Sequence, residues 1–204
     1  MFKGKKAAFY TLGCKLNFSE TSTIGRQLKD IGFEKTSFED KADLYVINTC
    51  SVTENANRAC RRIIRKAKKN SPNSFIAVTG CFAQLKPKEI SNIEGVNMVL
   101  GANEKFNLPY LLKSINNIND TEIHGCSIDN LNYFSSYSIN DRSRSFLKIQ
   151  DGCDYPCTYC TIPLARGKSR SDNISNIIEN ANKIAKEGIK EIVITGVNIG
   201  DFRD

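Results

Sequence analysis

The chain has 204 residues, of which 40% are hydrophobic and 25% charged, and its formal net charge is +7. That length and apolar content fit one large domain, or one domain plus part of another, and exclude a disordered chain. No run approaches the roughly 18 consecutive apolar residues of a membrane span, and Met1 to Lys6 leads into a strand-like run rather than a signal-peptide core, so the expectation is a cytoplasmic protein with no membrane partner.

Short β-rich runs alternate with helical ones through the first part. Ala7 to Leu12, Leu44 to Asn48, Phe75 to Thr79 and Met98 to Leu100 are bounded and apolar enough to be strands. Ser19 to Ile31 carries Ile24, Leu28 and Ile31 on one helical face, with Asn17 and Glu20 spaced as a capping pair and Gly32 as a stop signal. Asn55 to Lys69 has the clearest helical period, its apolar stripe formed by Ala56, Ala59, Cys60, Ile63, Ile64 and Ala67. A further helix is predicted over Phe106 to Ile115. This alternation predicts an α/β fold, a Rossmann-like or flavodoxin-like domain with a parallel sheet over residues 1–118.

From Asn116 to Ser145 the chain is rich in Asn, Ser and Asp without periodicity, which predicts a connecting segment over 119–144 with room for an edge strand. A second β/α unit opens at residue 145: strand Phe146 to Gln150, a cysteine loop, helix Ile174 to Glu187, and strand Glu191 to Thr195.

Eight cysteines in a reducing compartment point to metal or catalysis rather than to disulfides. Cys153, Cys157 and Cys160 share one short loop directly after a predicted strand. Three thiolates so placed can converge on a cubane cluster and leave its fourth iron open. A zinc knuckle or a Cys157–Cys160 redox pair is the alternative, yet structural zinc wants four ligands and no fourth Cys or His lies nearby. Cys14, Cys50 and Cys81 are far apart in sequence, but each follows the end of a predicted strand. In an open parallel sheet the carboxyl ends of the strands share one edge, so three thiols would meet there. The competing reading is three buried small residues, since free cysteine is often buried. Cys60 belongs to a helical stripe, and Cys126 and the single His124 have no such pattern.

With both triplets in place, the sequence resembles the radical S-adenosylmethionine (SAM) methylthiotransferase family. The resemblance rests on Thr11 to Asn17, Val46 to Thr53, Val78 to Cys81 and Lys148 to Ser171, including Ile149-Gln150-Asp151-Gly152 before the cysteine loop. It implies two 4Fe–4S clusters, an auxiliary one on Cys14, Cys50 and Cys81 and a SAM-binding one on Cys153, Cys157 and Cys160. It also implies that residues 145–204 are the start of a radical SAM partial (β/α) barrel. Leu12-Gly13-Cys14-Lys15-Leu16-Asn17 and Asn48-Thr49-Cys50-Ser51-Val52-Thr53 are most similar to the group acting on threonylcarbamoyladenosine in tRNA. In the isopentenyladenosine group a Gln-Met pair usually follows the first cysteine, and in the ribosomal-protein group a proline does.

The implied reaction converts N6-threonylcarbamoyladenosine at position 37 of tRNA to its 2-methylthio derivative. The alternatives are the other two substrates, or a non-catalytic iron–sulfur module that binds RNA. The resemblance implies a tRNA partner, an electron donor of flavodoxin or ferredoxin type, and a sulfur donor. It places Tyr159 beside the adenine of SAM, and Thr195, Gly196, Val197 and Asn198 near the SAM amino group, although the usual glutamate of that motif is absent. No catalytic side chain is assigned. Family members continue through more of the barrel and a carboxy-terminal RNA-binding domain, so this chain alone is expected to be inactive. Arg58, Arg61, Arg62, Arg65, Lys66, Lys68 and Lys69 crowd the polar face of one helix, a face suited to phosphates or simply to solvent.

Overall fold

The computed structural model describes residues 2–51, 53–114, 120–125, 127–139 and 143–203. Val52, Cys126 and the expected domain end near Ile118 lie outside them. Within them the first unit is a six-stranded, all-parallel sheet built from β1 (Lys6–Thr11), β2 (Glu34–Thr36), β3 (Leu44–Thr49), β4 (Phe75–Gly80), β5 (Met98–Leu100) and β6 (Glu122–His124). Their spatial order is β2-β1-β3-β4-β5-β6, the flavodoxin-like winding, which reverses direction between β1 and β3. β6 comes from the stretch predicted to be connecting: Glu122–His124 pairs in register with Met98–Leu100.

Both faces of this sheet are covered, as a parallel sheet requires. Alternate residues of one strand serve different cores. Tyr45 and Ile47 pack with Ile63, Ile64 and Ala67 of α2 (Glu54–Asn70) and with Phe82 and Ile90 of the short helices α3 (Cys81–Leu85) and α4 (Pro87–Ser91). Leu44 and Val46 point the other way, to Ile24 and Leu28 of α1 (Lys15–Asp30) and Leu108 of α5 (Leu108–Ser114). α2 is capped by Thr53, whose side chain accepts a hydrogen bond from the Ala56 amide at 3.2 Å. Gly32 ends α1 as predicted: at φ +106° its amide reaches Lys29 O, while the Phe33 amide reaches Leu28 O, which closes the last carbonyls in a Schellman pattern.

The start of α1 departs from expectation. The helix begins at Lys15, with Cys14 at the N-cap position and no side-chain cap bond, so Asn17 and Glu20 lie inside it rather than at its entry. Both are fully buried. Their side chains are drawn away from the helix end by partners far along the sequence.

The second unit opens with β7 (Ser136–Tyr137) and β8 (Ser145–Lys148), an antiparallel pair, and β11 (Ile192–Thr195) then joins β8 in parallel. β9 (Gln150–Asp151) pairs with β10 (Arg170–Ser171) across the cysteine loop and α6 (Ile162–Arg166). α7 (Ile174–Lys186) covers one face of β8 through Ile184 on Leu147 and Ile149. On the opposite face Phe146 meets Phe18 of α1 edge-on, with ring centroids 5.7 Å apart. The two units are therefore packed against each other through α1. No helix among the described residues is long and apolar enough to cross a membrane.

Candidate functional site

β1, β3 and β4 are adjacent, and their registers bring Thr11 level with Asn48 and Thr49 level with Gly80. Cys14, Cys50 and Cys81 thus emerge at one sheet edge, with Cys14 and Cys50 on either side of the topological switch point. Cys14 is exposed, Cys50 half-buried and Cys81 buried. The loops are tied by amide side chains. Asn17 Nδ2 donates to Leu12 O at 2.8 Å and to Thr49 O at 3.1 Å, and Asn48 Nδ2 donates to Asn17 O at 3.0 Å. Two glycines make the close approach possible. At Gly13 (φ +106°) an added Cβ would lie 3.0 Å from Cys50 Cβ and 3.2 Å from its Sγ, and at Gly80 (φ +96°) it would collide with Thr49 O and Asn48 Oδ1.

The second loop is held at its root rather than its tip. The Cys153 amide donates to Gly167 O and the Cys160 amide to Cys157 O, both at 3.0 Å. Asp154 Oδ1 accepts from the Ser169 amide at 2.9 Å. Gly152 (φ +73°) leaves no space for a side chain against the Lys168 carbonyl. Cys157 is exposed, and so is Tyr159, whose side chain stands 90% in solvent at the tip.

Buried Gln150 organises this region, and nothing in its residue type announced it. Its Nε2 donates to Gly152 O at 2.7 Å and to Ser169 Oγ at 2.9 Å. Its Oε1 accepts from the amides of Val197 at 2.8 Å and Asn198 at 2.9 Å. One amide side chain thus joins the cysteine loop to the turn after β11, where Thr195 is buried and Gly196 lies against Gln150. In this arrangement the Val197 and Asn198 amides fix that turn.

Between the two cysteine sets lies a buried ionic network that the sequence pattern did not reveal. Arg166, at the end of α6, donates from Nη1 to Glu20 Oε1 at 3.1 Å and to Asp151 Oδ1 at 2.9 Å, and from Nη2 to Asn17 Oδ1. Glu20 also meets Lys105 at 2.7 Å and Lys148 at 3.4 Å, and Lys148 meets Asp151 at 3.2 Å. None of these five charged side chains is more than 6% exposed. Burial would push the Glu20 carboxyl up, but Arg166, Lys105 and Lys148 outweigh it and hold it below the usual carboxylate range. Asp151 behaves alike: burial opposes ionisation, while Arg166 and Lys148 enforce it. Three buried cations face two carboxylates, with Arg170 a fourth cation 3.6 Å from Asp151, so positive charge is in excess. Cys81 is next to that excess: burial raises its thiol, and Arg166 pulls the other way.

These features set which metal chemistry fits. Among the described residues no three His, Cys, Asp or Glu side chains close around a single ion. A cubane makes a different demand, because each thiolate binds a separate iron and the three stand apart. Two sets of three thiols, glycines where a Cβ would fill the space, and a cationic surround at Cys81 suit such a group better than tetrahedral zinc. A cavity of about 390 Å³ opens beside Cys14, lined by Gly13 and Phe18 of the first unit and Arg144, Phe146 and Val193 of the second.

Comparison with known proteins matches two segments of the chain to two families. Residues 6–101 match the family described as Uncharacterized protein family UPF0004, and residues 147–204 match the Radical SAM superfamily. The chain is 39% identical over 201 residues to threonylcarbamoyladenosine tRNA methylthiotransferase MtaB of Bacillus subtilis, covering 96% of this chain and 44% of that protein. Its counterpart in Aquifex aeolicus is 36% identical over 200 residues, covering 97% and 49%. Over nearly its whole length the chain is thus similar to tRNA methylthiotransferases, with the Radical SAM superfamily matched at its C-terminal end. A tRNA-2-methylthio-N(6)-dimethylallyladenosine synthase of Natranaerobius thermophilus, from another branch, is 32% identical over 207 residues, covering 98% of this chain and 46% of that protein. The chain spans about half the length of the curated relatives it matches. Arg166 joins the part matched by the first family to the part matched by the second, and it lies six residues beyond Cys160.

Proposed function

We propose that the protein is a tRNA methylthiotransferase that acts on N6-threonylcarbamoyladenosine at position 37, and that its six cysteines carry two 4Fe–4S clusters. The observation that carries this reading is the convergence of Cys14, Cys50 and Cys81 at the edge of one sheet, tied through Arg166 to the loop of Cys153, Cys157 and Cys160. The names of the relatives in Bacillus subtilis and Aquifex aeolicus support the threonylcarbamoyladenosine branch. When bound, the clusters and SAM supply the radical that opens a C–H bond and the sulfur that replaces hydrogen.

The protein's own part is to hold and orient. Cys14, Cys50 and Cys81 present thiolates at the auxiliary centre, with Arg166 and Lys105 stabilising negative charge there. Cys153, Cys157 and Cys160 would present the second set, and Gln150 fixes their loop relative to Thr195, Gly196, Val197 and Asn198, which would hold the SAM amino group when SAM is bound. Tyr159 would place the adenine of bound SAM through its backbone. The cavity beside Cys14 is lined by both units and has the size of a small-ligand site. An electron donor of flavodoxin or ferredoxin type and a sulfur donor complete the reaction in the cytoplasm, where tRNA is available.

The test is expression of a complete protein carrying this sequence in a strain deleted for the threonylcarbamoyladenosine enzyme, followed by nucleoside mass spectrometry. The 2-methylthio derivative of threonylcarbamoyladenosine is the expected product. Methylthiolation of isopentenyladenosine alone would reject the substrate assignment.

A further inference from the structure

α2 carries seven basic residues on its polar face, and the structure divides them into two sets. Arg61 pairs with Glu54 and Glu89, Lys66 pairs with Glu39 at 2.6 Å, and Lys68 donates to Pro72 O at 2.5 Å while its stem covers Gly95. Those three are spent within the fold. Arg58, Arg62, Arg65 and Lys69 are exposed and make no hydrogen bond or ion pair among the described residues. Their spacing is i, i+4, i+7 and i+11, which lines them up along one helical stripe.

No acidic residue occurs from Asn55 through Lys88, and the acidic groups that flank α2 on the surface, Glu54, Glu89 and Glu39, are the ones already engaged. The stripe is therefore a row of unneutralised charge on a rigid rod. At about 1.5 Å per residue it extends roughly 16 Å. Its near end is the N-terminal end of α2, where Thr53 caps the helix three residues after Cys50. A ligand matching it must be an extended polyanion with regularly spaced charges, and it must lead toward the first cysteine set.

We infer that Arg58, Arg62, Arg65 and Lys69 form a track for the phosphate backbone of RNA, laid so that a strand bound along α2 is directed at the Cys14–Cys50–Cys81 edge. This rests on the proposed tRNA modification and adds to it the surface that grips the substrate. The contacts position the strand; they carry no sequence information of their own.

The chain, with clusters reconstituted, is titrated against a fluorescently labelled anticodon stem-loop RNA at several KCl concentrations. Neutralising about four phosphates gives a slope of log K against log salt near −3, so from 50 to 200 mM KCl affinity falls about 60-fold through these contacts alone. The fourfold variant Arg58→Gln, Arg62→Gln, Arg65→Gln, Lys69→Gln should lose about three units of slope, and each single change about 0.7 to 0.8. Gln keeps the helix propensity close to that of Arg and Lys, so the circular dichroism and iron content should stay unchanged. A charge-matched control on other exposed lysines, Lys3→Gln, Lys113→Gln, Lys186→Gln and Lys190→Gln, should retain most of the slope. A fourfold variant with the unaltered slope, or a control that loses as much, would overturn the track. Failure of the reaction assignment would show itself separately, as a steep salt slope for this chain while a complete protein carrying this sequence yields no 2-methylthio derivative of threonylcarbamoyladenosine.

Discussion

Replacing Arg166 with Met removes a buried guanidinium that touches both units while keeping an unbranched side chain of similar length. The change takes away hydrogen bonds to Glu20, Asp151 and Asn17. Removing one partner from a buried ionic group costs about 3–5 kcal/mol, because the remaining charges stay desolvated. Here Glu20 keeps Lys105 at 2.7 Å, and Asp151 keeps Lys148 at 3.2 Å and Arg170 at 3.6 Å, so neither carboxylate is left alone. The lower end, about 3 kcal/mol, is expected, equivalent to roughly a hundredfold shift in the equilibrium between docked and separated units. Urea denaturation gives the total loss, and hydrogen exchange locates it: amides of α3 and α6 should lose protection while those of β3 and β4 keep theirs. Arg166→Lys should recover only part, since an ammonium lacks the fork that reaches three acceptors. A loss below about 1 kcal/mol, with α6 still protected, would mean that the network is a solvated bystander and that other contacts join the units.

The remaining expectations are direct. Replacing Cys14, Cys50 and Cys81 with Ala should cut the iron of anaerobically reconstituted protein from about eight to about four per chain, as two cubanes require; stoichiometric zinc without sulfide would contradict both centres. Gly80→Ala puts a Cβ into the Thr49 backbone at φ +96°, and should cost more than the roughly 1–3 kcal/mol of the strained conformation alone, read as a lowered melting temperature; an unchanged melting temperature would show that the loop has room to relax. Acid should undock the units: Glu20 and Asp151 have folded values below their ordinary 4.5 and 3.8, so their stabilisation is complete above those values and is lost as pH falls through the depressed ones. Lys105 has the opposite sense, because burial lowers it and only Glu20 and Asp151 oppose that, so its penalty is present at neutral pH and eases as pH rises. Stability that is flat from pH 5 down to pH 2 would refute the assignment.

Much of the fold was legible because its cues are local. Leu44 to Asn48 reads as a strand from five residues, and β3 adds only Thr49; the 3.6-residue stripe of Ile63, Ile64 and Ala67 likewise fixed α2 to within a residue at each end. The equivalent placement of Cys14, Cys50 and Cys81 after successive strands needed only the rule that parallel strands end together. What escaped depends on distant partners. Asn17 and Glu20 have the spacing of a capping pair, yet Lys105, Lys148 and Arg166, 85 to 146 residues further on in the chain for Glu20, recruit Glu20 into the interior. Charged residues destined for burial look like surface residues until their partners are in place. Glu122–His124 has three residues and no apolar period, so only its pairing with β5 reveals a strand.

The short path from Cys160 to Arg166 sets a limit on distance. Two extended steps lead from Cys160 to Ile162, and α6 then rises about 1.5 Å per residue to Arg166, so the two Cα atoms are separated by no more than about 13 Å. Since Arg166 is bonded to Asn17 and Glu20, in the helix that starts directly after Cys14, the second cysteine loop is leashed to the first triplet by a tether too short to swing open. The two sets of thiols are thereby held at a fixed short span, set by one helix turn and one guanidinium.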